Sequence, residues 1–405
     1  MKNIAVIFGG RSAEHDVSII TAHVPIIESL IASGEFEVYP IYIAKDGSWY
    51  SDKSMRDLSF FKQPDFESVL TKQKKIQLSF DKGLKIIWPG FMSKEVQIDI
   101  VFPSMHGTFG EDGSLMGLLR MAQVPFVGCD LFASAVAMDK ALTKQVLGAE
   151  GIPIVPFVWF TKSDWLGAKD VLMKEISDLK WPLFVKPVHL GSSIAISKVK
   201  DKAGLENAIE VAFHYDNKVL VEEAVENLIE VTLPIMGNDE LRLAAIERPL
   251  NKTEFFNFSD KYLQGGKKGD GRARAQYSEI PANIDEGLAA EVEKLGKKTF
   301  HVLGCSGICR VDFLINESAK MVYVNEVNTL PGSLYHHNWK KIGVSNVELV
   351  TLLVSLAEER FQAEKNINYF FVSEILKKIK PLWPVGLTTG YFDFPQLIVG
   401  RKTWK

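Results

Sequence analysis

The segment MVYVNEVNTLPGS (Met321–Ser333) sets Glu326 and Asn328 two residues apart at the end of a β-branched run, then stops that run with Leu-Pro-Gly. Side chains two apart on a strand point to the same face. Two oxygen donors on one face can grip a hard cation; equally, a salt-bridged Glu can sit beside a turn-forming Asn. Just upstream, the run CRVDFLI carries Asp312, and a short turn separates the two runs, so they can pair as a hairpin with Asp312 beside Glu326. Asp, Glu and Asn make an all-oxygen set of the kind Mg²⁺ uses when it also holds substrate phosphates. Apolar flanks argue for burial, and buried carboxylates need a partner. Arg310 is either that partner or an anion binder on the same face.

Other stretches carry the chemistry that would accompany such a site. In LFVKPVHLGSSIAISKV, Lys186 closes an apolar strand before a Gly-Ser-Ser turn, a hairpin whose backbone N–H groups and hydroxyls can cover a phosphate. No Lys-Ser or Lys-Thr opens a helix there, so this is not a P-loop; a plain hairpin with a snorkelling lysine is the alternative. KVLVEEAV ends in Glu222 and Glu223, and such a strand edge can read an adenine, with Glu230 placed for ribose hydroxyls. At the front, GGRSAEHDVS puts Glu14, His15 and Ser18 around a strand-to-helix turn at the carboxyl end of a strand, where open α/β sheets bind ligands. It lacks dinucleotide-binding glycine spacing. MHGTFGEDGSL sets His106 at the end of another strand. Lys261 and Tyr262 lead DKYLQGGKKGDG, a glycine-rich stretch suited to a closing lid or to a surface loop.

The elements that must position these groups follow from periodicity. Asn3–Phe8, a helical pattern over Asp16–Ile31 and the strand Phe36–Ala44 make a βαβ unit, and so a parallel sheet. Ser51–Gln97 is a polar excursion with a hairpin (KIQLSF, LKIIWPG); Ile98–Gly107 is a buried strand, and GSLMGLLRMAQ a helix. Residues 1–139 thus form a Rossmann-like parallel-sheet domain. Residues 140–225 alternate helices with short strands, an α+β unit. Residues 226–362 carry antiparallel strands, a helix over Ile284–Leu303 and the oxygen-bearing hairpin. Residues 363–405 add a short helix within SEILKKIKP and an aromatic tail with no assigned role.

A net charge of −3 over 405 residues excludes a basic nucleic-acid stripe. Three cysteines without a framework fit a reducing cytoplasm and no zinc site. No apolar run is expected to serve as a membrane span, and MKNIAVIFGG is a buried strand rather than a leader.

Taken together, GGRSAEHDVS, HGTFGEDGSLMGLL, ASAVAMDKALTK, FVKPVHLGSS, DKY, CRVDF and NEVNTLPGS resemble, in order, the blocks of the ATP-grasp D-alanine–D-alanine ligases. That resemblance implies an α/β fold in which two α+β subdomains sandwich ATP, and a homodimer feeding peptidoglycan synthesis. It places Lys140, Lys186 and Lys261 on ATP phosphates, Ser192 on the loop covering them, Glu222, Glu223 and Val225 at the adenine edge and Glu230 on the ribose. Asp312, Glu326 and Asn328 would hold two Mg²⁺ ions, or Mn²⁺. Glu14 would take the first D-alanine's ammonium, with His106 nearby, and Ser192 and Tyr262 would latch the lid to Glu14. Arg310 and the Gly332 N–H would form the oxyanion hole. The chain departs from the family pattern after NTLPG, where SLYHHNWKK replaces a polar run. This puts His336 and His337 near the acceptor and leaves a different amino acid or a D-hydroxy acid as the alternative acceptor. Ile229 stands where an arginine is usual, and Ala195 where glycine is favoured. A nucleotide-binding regulatory protein without catalysis is the reading from another class; the intact Lys186, Arg310, Asp312, Glu326 and Asn328 set argues against it.

Overall fold

In a computed structural model, which describes residues 1–250, 278–368 and 371–378, the first apolar run forms the strand Lys2–Gly9. It lies inside a four-stranded sheet, parallel to Phe36–Ile43 on one side and Ile100–Pro103 on the other, with Trp49–Tyr50 antiparallel at the edge. Ile4 to Phe8 are all buried, as expected of a strand covered on both faces. The crossover from this strand is a helical run, His15–Ser33, whose middle is π-helical around Pro25. Proline has no N–H to give the regular ladder, which accounts for the widened turn. By length and composition alone this run would pass for a membrane span. Here it is a core helix: Ala22, Ile26, Ile27 and Leu30 are fully buried in the same cluster as Ile4, Val6 and Phe8.

The polar excursion holds the expected hairpin, Gln77–Ser79 with Leu84–Trp88, and a further strand, Lys94–Ile98. The strand expected from Ile98 is divided at Asp99, whose carboxylate accepts from the Asn3 N–H at 2.7 Å.

Two antiparallel sheets follow. The order in the first is Ser197–Val199, Leu183–Pro187, Lys218–Glu223, Phe157–Thr161. Helices Lys162–Ser177 and Lys202–Tyr215 pack on it, the former opened by a Thr161/Asp164 capping box, the latter by Asp201. In the second the order is Leu241–Leu243, Leu228–Gly237, Gly307–Asn316, Met321–Asn328. The helix Glu286–Val302 covers one face of it through Leu288, Val292 and Leu295.

The helix Asn346–Lys365 sends Leu349, Val350 and Leu353 into the core of the N-terminal sheet, beside the fully buried Trp339. Arg360 adds polar ties to the carbonyls of Gly128 (2.5 Å) and Phe126 (2.8 Å). Residues 1–363 form one unit; the chain from Glu364 on forms another, whose described part carries the four-residue helix Ile375–Lys378.

Gly9 ends the first strand at φ +86°, and a Cβ there would lie 2.3 Å from the Ile43 carbonyl oxygen. Gly34 closes the crossover helix at φ +71° with open space around it. In urea titrations Gly34→Ala should lose only the left-handed strain, about 1–2 kcal/mol. Gly9→Ala should lose roughly 1–3 kcal/mol beyond that, because carbonyl and Cβ cannot both keep their places.

Candidate active site

The last two strands of the third sheet pair so that Arg310 faces Asn328 and Asp312 faces Glu326. Alternation then puts all four polar side chains on one face. Beyond them the register shifts: Phe313 pairs with Val324, leaving Asn325 as an extra residue. A bulge of this kind re-aims side chains next to a site. The opposite, apolar set (Cys309, Val311, Phe313) is buried in the core.

Within this block Arg310 donates twice to Asp312, Nε to Oδ1 at 2.6 Å and Nη2 to Oδ2 at 2.5 Å. Asn328 Nδ2 also donates to Asp312, at 3.2 Å, and Glu326 lies 3.9 Å from the guanidinium. Burial alone would lower the Arg310 pKa; the charge of Asp312 overrides it and raises it. A Tyr335 ring lies 4.8 Å from the guanidinium carbon on its face.

A cavity of about 360 Å³ lies between the two antiparallel sheets. Arg310, Asp312 and Glu326 line it from one sheet, Lys186 from the other, and Lys140 from the start of a helix beside Glu326. Glu222, Glu223, Val225 and Glu230 line it as well, so the nucleotide-reading candidates share one space with the oxygen-bearing hairpin. Lys140 opens the helix Lys140–Ala149, capped by the Asp139 carboxylate; its Nζ donates to the Leu190 carbonyl at 2.7 Å and lies 3.9 Å from Glu326. A small recess lined by Glu111, Lys140, Glu326 and Asn328 adjoins it.

Glu222, expected at the adenine edge, has two close ionic partners. Its carboxylate is almost wholly buried between two ammonium groups, Lys144 at 2.9 Å and Lys186 in closer contact. Burial alone would push the Glu222 carboxyl up, but the charges of Lys144 and then Lys186 outweigh it and hold it down.

The loop after Lys186 carries Ser192, Ser193 and Ala195 at φ between +54° and +57°. Glycine adopts that conformation without strain, which explains the family preference at position 195. Ser192 Oγ donates to Glu14 Oε1, joining this loop to the first loop of the N-terminal sheet. His106 is buried; its Nε2 lies 3.0 Å from Thr21 Oγ1, and that same oxygen accepts the Ser333 N–H at 3.0 Å. Burial lowers the His106 pKa. Glu111, beside Glu14, is raised to about 8, chiefly by burial, and its Oε2 accepts the Gly107 N–H at 2.7 Å.

Gly332 opens a short turn in which Ser333, Leu334 and Tyr335 all take left-handed φ, between +48° and +53°. His336 and His337 point elsewhere than the cavity wall: His336 Nδ1 meets Asn346 Oδ1 at 3.2 Å and His337 Nε2 meets Glu247 at 3.0 Å. Tyr335 lines the cavity in their stead. Lys261 and Tyr262 lie outside the described residues.

Sequence reasoning passed over Lys144, Thr21, Glu111 and Tyr335. Lys144 had a readable signal, since it follows Lys140 by four and so shares its helix face. Thr21 had none: its role comes from contacts 85 and 312 residues away.

Two antiparallel sheets enclosing a lysine- and carboxylate-lined cavity, behind a parallel-sheet domain, define an ATP-grasp fold. Family models described as the D-ala D-ala ligase N-terminus and C-terminus match residues 3–129 and 146–355. A D-alanine–D-alanine ligase of Thermosipho melanesiensis is 38% identical over 368 residues, 91% of this chain and 97% of that one. One of Natranaerobius thermophilus is 36% identical over 379 residues, 92% and 98% of the two chains. Among solved structures, the D-alanine–D-alanine ligase of Coxiella burnetii superposes at TM-score 0.76 with 30% identity, covering 90% of this chain and 96% of that one. The VanG D-Ala:D-Ser ligase of Enterococcus faecalis superposes at 0.73 with 32% identity, covering 88% and 99%. The chain belongs to the D-alanine–D-alanine ligase family.

At the start of the covering loop, His189 Nδ1 lies 3.0 Å from Asp216 and its Nε2 3.4 Å from Asp139. Hydrogen bonds to Asp139 and Asp216 raise the His189 pKa to about 9. Its stabilising contribution is therefore complete below the unfolded value of about 6.5 and lost as pH rises through about 9. The thermal midpoint of His189→Gln should fall well below that of the parent at pH 6.5 and approach it at pH 9.5. Glu111 also costs stability as pH rises, but equally in both proteins, so the difference isolates His189.

Proposed function

We propose that this chain is an ATP-dependent D-alanine–D-alanine ligase that forms its dipeptide through an acyl phosphate. The observation that carries the reading is the block of Arg310, Asp312 and Glu326 lining a cavity that Lys140 and Lys186 also line, with Asn328 on the same strand face in the adjoining recess. A carboxylate is a poor electrophile at neutral pH. Attack of one D-alanine carboxylate oxygen on the γ-phosphorus of ATP, with ADP leaving, makes an acyl phosphate with a good leaving group. Lys140 and Lys186 hold the phosphates by charge. Glu14, fixed by Ser192, holds the first D-alanine's ammonium, and His106, kept neutral by burial, borders that subsite. The amine of the second D-alanine then attacks the acyl carbon, loses a proton, and phosphate departs. Arg310 and the Gly332 N–H face the oxyanion of that step, a role worth about 10²–10³-fold per donor.

Asp312, Glu326 and Asn328 suit divalent ions because their donors are hard oxygens on one face, and Mg²⁺ is bound through one or two carboxylates when phosphates complete its shell. Such ions, two in this reading, would supply neutralisation of the phosphate charge. Three side-chain donors leave positions in the shell that the phosphates would fill. The chain is further read as a homodimer through its N-terminal region, supported by Ile20, Val24 and Ile31 left exposed along the crossover helix.

A second reading, a different acceptor, is favoured by Tyr335 on the Arg310 face and by the strained turn Ser333–Tyr335. Phosphate release from ATP should depend on D-alanine, with the dipeptide seen by mass spectrometry. Asp312→Ala should lose at least about 10²-fold in kcat. A folded, ATP-binding sample that is inert with D-alanine but turns over with D-serine or D-lactate would replace the first reading by the second. Full activity in Asp312→Ala would show that the ions sit elsewhere.

A further inference from the structure

Lys144 is only 2% exposed at its side chain, so it cannot touch a ligand in the cavity. It sits one turn along the helix from Lys140, behind Glu222 rather than in front of it. Its Nζ lies 2.9 Å from Glu222 Oε2, without the alignment of a hydrogen bond, and 5.6 Å from the centre of the Phe157 ring. On the cavity side the other Glu222 oxygen meets Lys186. The three groups make a row, ammonium, carboxylate, ammonium, running from the core to the cavity wall.

The sum of that row matters more than either pair. Lys186 and Glu222 alone would cancel, and the wall would offer a polyphosphate a neutral couple. Inside a protein, where water screens little, such cancellation is strong. A second cation behind the carboxylate restores a net positive charge to the row, and that charge is expressed at Lys186, the end open to the cavity.

We propose that Lys144 is a positioning residue for nucleotide binding: it takes up the Glu222 charge from behind, so that the Lys186 ammonium faces the phosphates as an uncancelled cation. On this account Glu222 is the fixed post between the lysines. The inference rests on the nucleotide reading of the cavity, and the two fail separately.

Calorimetric titration of the intact chain with ADP in Mg²⁺ buffer tests both. The parent should bind ADP; if it binds none, the nucleotide reading falls and this inference with it. Lys144→Met, an apolar side chain of similar length, should weaken ADP about tenfold or more, the usual worth of one charge-assisted contact. Its KM for ATP should rise in step while that for D-alanine stays put, which a merely structural defect would not select. Lys144→Met combined with Glu222→Gln returns the row to one positive charge, and should bind ADP within about threefold of the parent. That rescue carries the test even if the single variant folds poorly. Parent-like ADP affinity in Lys144→Met would overturn the proposal. So would a double variant as weak as the single.

Discussion

The register between Gly307–Asn316 and Met321–Asn328 is the constraint on which the rest depends. Side chains alternate along a strand, so a one-residue slip of the last strand would send Glu326 and Asn328 into the apolar core, away from Arg310 and Asp312, and turn Val327 outward. The cost of that exchange, buried aliphatic side chains for a carboxylate and an amide, locks the pairing. The strand Leu228–Gly237 reinforces it by pairing with all ten residues of Gly307–Asn316. Past Asp312 the bulge releases the constraint after the polar block is set.

Charge at the cavity is balanced rather than merely collected. Arg310 is neutralised in part by Asp312, Glu222 is shared between Lys144 and Lys186, and Lys140 lies near Glu326. Ionised groups at such depth persist only where partners replace water. The same balance leaves each cation held in one place. A preset geometry spares reorganisation when a polyanion enters, which is where electrostatic catalysis gains its strength.

Four segments far apart in sequence are tied at this place. Ser192 reaches Glu14 across 178 residues, and Thr21 joins Ser333 to His106. These ties fasten two stretches of left-handed backbone, at Ser192–Ala195 and Ser333–Tyr335. Non-glycine residues hold that conformation only where surroundings over-determine it, and such strain gathers at ligand clamps.

Much was legible before any coordinates. The βαβ start, the Lys186 hairpin and the Asp312–Glu326 pairing followed from periods of two and 3.6 and from turn residues, because those signals are local. Cavity-lining residues such as Lys186, Glu230 and Arg310 could be named from residue type and from their places on the expected strands. The sequence did not show that Pro25 would be absorbed by a π-helical turn, that His336 and His337 would turn to Asn346 and Glu247, or that Tyr335 would cover Arg310. Nor did it show that Glu222 would lie between two lysines. The physical reason is common to all four. Pattern tells which face of an element is apolar, whereas the partner of a polar group depends on which other elements meet it in space, and only the packed chain decides that.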